Sequence, residues 1–174
     1  VIDIAYDISE GLARAACAGE VNGEVVDLRT VLDSDCELNI LTAKDEKGLA
    51  VLRHTASHVM AQAVQNLYPE AKVAIGPSID TGFYYDFDHE PFSREDLDAI
   101  EKEMKKIIKK GAKIERFTKS REDAIAYFKE KNEPYKVELI EDLPEGEEIS
   151  FYSQGDWTDL CAGLHLMSVK GIKA

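Results

Sequence analysis

Four side chains hold most of the chemistry this sequence offers: His54, His58, Cys161 and His165. His54 and His58 stand four residues apart in RHTASHVMAQAV, so on a helix both project from one face, a turn apart. Cys161 and His165 are also four apart, in CAGLH, where Gly163 marks a loop following a strand-like WTDL. Loops after strands are where reactive groups sit on a rigid frame. Three imidazoles and a thiol make a plausible tetrahedral zinc set of borderline-soft ligands. They also provide imidazole for proton transfer near neutral pH. Either half alone is weak evidence, since paired histidines recur by chance and a buried cysteine commonly acts as a small hydrophobe. Together they require a specific fold to bring them into contact. The helix pair is not a metalloprotease site, because HTASH has Thr55 where HExxH needs its general-base Glu. The fourth histidine, His89, lies in the polar turn DFDHEPF and is expected to face solvent.

The elements that position these residues can be read from pattern. LAVLRHTASHVMAQAVQNLYP predicts one long helix, with Leu52, Ala56, Val59, Ala63 and Leu67 at helical spacing and Pro69 as its stop. KVAIGP and GFYYDFD read as strands divided by Gly76-Pro77 and Thr81-Gly82. FSREDLDAIEKEMKKIIKKG predicts a helix capped by Ser93 with Asp96 three residues on and Gly111 just past its end. Its expected buried stripe is Leu97, Ile100, Met104, Ile107 and Ile108. KIERFT, YKVELI, EISFYSQ and WTDLC read as strands, and Ser120 opens a further helix to about Lys131. Ahead of all this lies a strongly acidic stretch to about residue 45. In it, Ser9 precedes a helical run ending near Gly19, Asn22-Gly23 marks a hairpin, and CELNILTA reads as a strand. The expected architecture is α+β: a small β-rich module over residues 1–45, then a domain over 46–174 with helices on a mainly antiparallel sheet.

Composition excludes several classes. The chain has 174 residues, 44% hydrophobic, with 21 basic and 34 acidic side chains and a formal net charge of −13. It has no run of about 18 apolar residues and hence no membrane-spanning helix. The opening VIDIAYDISE has no secretory pattern. Three cysteines (Cys17, Cys36 and Cys161) suit a reducing, cytoplasmic setting better than a disulfide scaffold. Strong acidity is a poor sign for nucleic-acid binding. The one basic face is Lys102, Lys105, Lys106, Lys109, Lys110 and Lys113, either a solvated face matched to the helix dipole or a nucleic-acid contact. Trp157 is expected in the core, and Gly146 in an exposed acidic turn.

RHTASHVMAQAV, AIGPSIDTGFYYDF, EPYKVELI and DLCAGLH, in this order and spacing, resemble the N-terminal part of the threonyl-tRNA synthetase family. AGEVNGEVVDL and LNILTAKDEKGL resemble the preceding TGS domain, a ubiquitin-like β-grasp module. The HxxxH and CxxxH pairs also resemble those of alanyl-tRNA synthetase editing domains and their freestanding relatives. The resemblance implies post-transfer editing, the hydrolysis of seryl-tRNA(Thr) made in error. It places His54, His58, Cys161 and His165 around the site, and Tyr85, Lys136 and Asp159 at positions associated with it. Lys136 would hold the water or the terminal ribose or phosphate, and Asp159 the substrate α-ammonium. Cys161 is not needed as a nucleophile, because ester hydrolysis requires only an activated water.

The resemblance further implies no tightly bound metal here; zinc, if held, would take His54, His58, Cys161 and His165. ATP and the family's zinc are assigned to an aminoacylation core beyond this sequence. The chain is expected to begin inside the TGS module, without its first hairpin, and to stop before that core. The implied partners are the 3′ aminoacyl end of tRNA(Thr) and the rest of a homodimeric synthetase, with no membrane. Where the family's loop reads C-R-G-P-H, this chain has Ala162 and Leu164, losing a cationic contact and a φ restraint. The competing readings are a freestanding-type zinc-dependent aminoacyl-tRNA deacylase and a non-enzymatic tRNA-binding module.

Overall fold

Asn22 and Gly23 both adopt left-handed backbone (φ 49° and 88°), as a two-residue type I′ turn demands, and they fold Ala16–Val21 (β1) back on Glu24–Val26 (β2). Leu38–Thr42 (β3) pairs with the other edge of β1, giving an antiparallel sheet ordered β2-β1-β3. This is a computed structural model, and it describes residues 1–173. Two short helices precede the sheet, Ile2–Ile8 (α1) and Glu10–Ala15 (α2), and the Ser9 side chain caps the second by accepting from Leu12 N–H. The helical run after Ser9 therefore ends at Ala15, not near Gly19. The small residues of AACAG suit either state, and pairing on both edges makes β1 the central strand with Cys17 and Ala18 buried.

The predicted long helix is Glu46–Leu67 (α3), which ends at Tyr68, ahead of Pro69. Its inner face carries Val51, Ala56, Val59, Ala63 and Val64, all buried. Across it packs Arg94–Lys110 (α4), with the full reciprocal cap: Ser93 Oγ accepts from Asp96 N–H, and the Asp96 carboxylate accepts from Ser93 N–H. Gly111 ends α4 in the left-handed region at φ 66°. Ile100 and Ile107 are buried as expected, but Leu97 is 56% exposed, along a groove it shares with Met60, Phe92 and Ile100.

The larger sheet is antiparallel: Ile114–Lys119 (β8), Ile149–Gln154 (β9) and Trp157–Leu160 (β10), with β9 central. Between α3 and α4 lie two short antiparallel pairs, Lys72–Val73 (β4) with Phe87–Asp88 (β7) and Ser78–Ile79 (β5) with Gly82–Phe83 (β6). Arg121–Glu130 (α5) follows β8, with Ser120 accepting from Asp123 N–H.

YKVELI is not a strand. It lies in the helix Pro134–Asp142 (α6). A short apolar run is ambiguous by pattern alone. Here Pro134 stands at the first helical position, and Lys136 and Ile140, one turn apart, both point inward. The sequence-level α+β class holds.

The N-terminal sheet shares its core with the rest of the chain. Cys17, Ala18 and Leu41 belong to one buried cluster with Val51, Val59, Ile107 and Leu166. Met167 packs on a second cluster, with Val1, Ala16 and Leu28. Among the described residues no helix is long and apolar enough to cross a membrane.

Candidate active site

Helix α3 presents His54 and His58 on one face, and the loop leaving β10 returns across it with Cys161 and His165. Donor atoms of the four residues lie within 4.8 Å of one another. The His54 and His165 rings stack at 4.4 Å between centroids, and His58 meets His165 edge-on at 4.4 Å. Cys161 Sγ lies 3.3 Å from His165 Nε2 and 3.5 Å from His54 Nε2, and accepts from Gly163 N–H at 3.3 Å.

The outer partners determine which nitrogens carry protons. His54 Nδ1 faces the Leu164 carbonyl at 3.2 Å, and a carbonyl only accepts, so Nδ1 holds the hydrogen. His165 Nδ1 lies 3.1 Å from Thr55 Oγ1. That hydroxyl donates its single proton to Val51 O at 3.0 Å and accepts from Leu166 N–H, so His165 Nδ1 donates to it. Both rings thus turn an Nε2 lone pair toward Cys161. Burial lowers the pKa of His54, brings His58 to about 3 and takes His165 well below its usual value, so the imidazoles are neutral. Burial likewise pushes the Cys161 thiol up to about 12, so it keeps its proton.

Beside these lies a second cluster on three other elements. Lys136 on α6 is only 2% exposed, and its Nζ sits 2.8 Å from Asp159 Oδ1 and 3.0 Å from Tyr85 Oη. Tyr85, between β6 and β7, donates to Asp159 Oδ2 at 2.6 Å, and His58 Nδ1 lies 3.5 Å from the same oxygen. Burial alone would raise the Asp159 pKa, but the Lys136 charge and the hydrogen bond from Tyr85 outweigh it and hold the carboxyl below its ordinary value. By distance the Lys136–Asp159 contact is an ion pair. The ammonium stands off the hydrogen-bonding direction of Oδ1, leaving a buried acceptor without a donor in line. Burial and the Asp159 charge push the Tyr85 phenol well up, so it remains a donor.

The fold thus brings together all seven residues singled out from sequence: His54, His58, Tyr85, Lys136, Asp159, Cys161 and His165. Trp157 is in the core as expected, donating to Gln65 Oε1 at 2.7 Å and meeting the His58 ring edge-on. His89 departs from expectation: it stacks on Phe92 at 4.8 Å, with its side chain 14% exposed. On the α4 basic face, Lys105 and Lys106 pair with Glu101 and Glu103. Thr55 escaped the sequence reading except as a missing Glu, although it sits directly after His54. Gly146 is exposed as expected.

The four clustered side chains also fit a zinc ion by donor type, with His54 Nε2, His165 Nε2 and Cys161 Sγ already convergent. The contacts of His54 Nδ1 with the Leu164 carbonyl and of His165 Nδ1 with the Thr55 hydroxyl are of the kind that orient metal-bound imidazoles. A centre using all four would be coordinatively closed, with no position for a water.

Residues 1–42 match the TGS domain family. Over 173 residues, 99% of the chain, it is 64% identical to the threonine–tRNA ligase of Acetivibrio thermocellus. It is 58% identical, along its whole length, to the ligases of Caldanaerobacter subterraneus subsp. tengcongensis and Clostridioides difficile. The chain spans 27% of the length of each of these relatives. The resemblance to threonyl-tRNA synthetases therefore extends along the entire sequence.

Proposed function

We propose that this chain is the editing part of a threonine–tRNA ligase and hydrolyses seryl-tRNA(Thr) at the aminoacyl ester. The observation that carries the reading is the convergence of two neutral imidazole Nε2 lone pairs beside a buried Lys136–Asp159–Tyr85 cluster. One cluster is suited to moving a proton, the other to holding a small charged amino acid.

The need for such a site follows from size. Serine is threonine without a methyl group, and one methylene discriminates only about 10–200-fold in a hydrophobic pocket. A synthetic site shaped for threonine cannot sterically exclude the smaller serine. A second site that fits serine and rejects the methyl group can.

In the hydrolysis, a water attacks the ester carbonyl. Its proton passes to an imidazole Nε2, which is unprotonated in both His54 and His165 because each Nδ1 is committed elsewhere. The bond from the carbonyl carbon to the ribose oxygen breaks, and that oxygen takes the proton back from the imidazolium as serine leaves, restoring the neutral ring. Asp159 Oδ1, buried and lacking an in-line donor, accepts from the α-ammonium. Lys136 holds the carboxylate ionised and offers its ammonium to the water or the terminal ribose. Cys161, protonated and half-buried, acts as a wall and hydrogen-bond partner rather than a nucleophile. The remainder of a homodimeric synthetase, which holds ATP and its own zinc, presents the tRNA 3′ end in the cytoplasm.

The test is deacylation of seryl- and threonyl-tRNA(Thr), with His165→Ala as control. Rapid loss of serine, threonine spared, and no activity in the variant are expected. Wild-type rates in His165→Ala would overturn the imidazole mechanism, and tRNA binding without hydrolysis by the complete enzyme would make this a binding module.

A zinc-dependent deacylase is the second reading, favoured by the 4.8 Å clustering of four borderline-soft donors. Held by three of these donors with the fourth position left to a water, bound zinc would supply Lewis-acid polarisation and a more acidic water. Metal analysis before and after chelation, set against activity, separates the two: the imidazole mechanism retains full activity in metal-free protein.

A further inference from the structure

The loop that carries His165 is held from the N-terminal module. Arg29 lies just beyond β2, and its guanidinium reaches the backbone of the site loop at two points and the start of β8 at a third. Nη1 donates to the His165 carbonyl at 3.2 Å, and Nη2 to the carbonyls of Leu166 at 2.8 Å and Ile114. The guanidinium is itself fixed by Asp27, whose Oδ1 accepts from Arg29 Nη1 at 2.9 Å and from the Arg29 backbone N–H at 2.8 Å. The other Asp27 oxygen accepts from Tyr152 Oη at 2.9 Å. Tyr152 in turn meets the His165 ring edge-on at 4.5 Å. Its hydroxyl also sits where a Cβ on Gly163 would come within 2.5 Å, so the loop can pass there only as glycine.

We propose that Arg29 is a positioning residue of the hydrolytic site, clamping the His165 loop to the N-terminal module through backbone carbonyls, with Asp27 and Tyr152 as its braces. The inference rests on the editing reaction proposed above, for the chemistry but not for the clamp itself. A planar fork with five donors satisfies three carbonyls and a carboxylate at once, which a lysine ammonium cannot reproduce. In the loop, Leu164 stands where a φ-restrained proline would stiffen the chain. The Arg29 bonds and Leu166 N–H on Thr55 supply that restraint from outside the loop, and Gly163 N–H on Cys161 adds one within it. The N-terminal module is thereby part of the catalytic frame, not only a docking appendage.

The test compares Arg29→Ala, Arg29→Lys and Tyr152→Phe in the complete protein. Seryl-tRNA(Thr) deacylation should lose about 100-fold in kcat in Arg29→Ala, the usual effect of an ångström-scale misplacement, with KM nearly unchanged. Arg29→Lys should recover little, Tyr152→Phe should fall between, and added guanidinium ion should restore Arg29→Ala where equal sodium chloride does not. Hydrogen exchange over residues 161–167 gives a readout independent of chemistry: it should rise in Arg29→Ala while α4 stays protected. Unchanged exchange in that loop overturns the clamp. So does a loss of activity that merely tracks the unfolded fraction and is not rescued. An inactive wild type would sink the editing reading, and the exchange data would still judge the clamp.

Discussion

Thr55 is the residue on which the tautomer of His165 depends. Its hydroxyl has one proton, given to Val51 O, and accepts from His165 Nδ1 and Leu166 N–H. Thr55→Val keeps the shape and the β-branch but removes both acceptor roles. The imidazole then has no reason to keep its proton on Nδ1, and a buried backbone N–H loses its partner, which costs about 1–3 kcal/mol. Deacylation should fall about 10- to 100-fold, the range found for outer partners of metal-bound histidines. Thr55→Ser should retain most of it. Ring ¹⁵N shifts of His165 in Thr55→Val give the check: an unaltered Nδ1-H tautomer would show that the hydroxyl does not set it. His54 needs no such side chain, because the Leu164 carbonyl already fixes its Nδ1.

At the scale of elements, the segment carrying β5 and β6 shapes the second cluster through one close approach. A Cβ on Gly76 would stand 2.0 Å from the Tyr85 ring, whereas one on Gly82, in the same segment, meets nothing within 4 Å. Gly76→Ala should therefore push Tyr85 off Asp159 and lower stability by about 1–3 kcal/mol, as overpacking does. It should reduce kcat/KM as well, and Gly82→Ala should leave both unchanged. Thermal unfolding and deacylation of the two variants, measured side by side, decide it. Equal effects would mean that segment flexibility, not the Tyr85 contact, governs the result.

The elements also show what was legible in advance. Long, capped helices such as α3 and α4 and the Asn22-Gly23 hairpin declare themselves by period and end signals. YKVELI did not, because six residues of mixed character fit either period, and Pro134 at the first helical position together with packing on Phe128 and Phe151 makes it helical. The HxxxH and CxxxH spacings made the first cluster readable. Lys136 and Asp159 entered only through family resemblance, and Arg29 carried no local signal. Its partners are carbonyls more than eighty residues away, and backbone acceptors leave no trace in side-chain pattern.

For the whole molecule, the net charge of −13 limits how this chain could hold the tRNA proposed as its substrate. Affinity for nucleic acid comes largely from cations displacing condensed counterions, and log K falls with log salt by about 0.7–0.9 per phosphate neutralised. On the basic face, Lys105 and Lys106 are engaged by Glu101 and Glu103, leaving Lys102, Lys109, Lys110 and Lys113 as exposed cations outside those pairs. Even if all four met phosphates, the slope would not exceed about 4 in magnitude. The surrounding acidic surface opposes close approach of the acceptor stem. The chain should therefore bind tRNA(Thr) weakly and with a shallow salt dependence, most of the phosphate contacts belonging to the rest of the synthetase. Titration of tRNA(Thr) between low and moderate salt, with the chain alone and within the complete enzyme, tests this. A steeper slope in the complete enzyme is the expected result. Equal, steep slopes in both would place the main tRNA-binding surface on this chain, and charge reversal at Lys109 and Lys110 would then show whether α4 provides it.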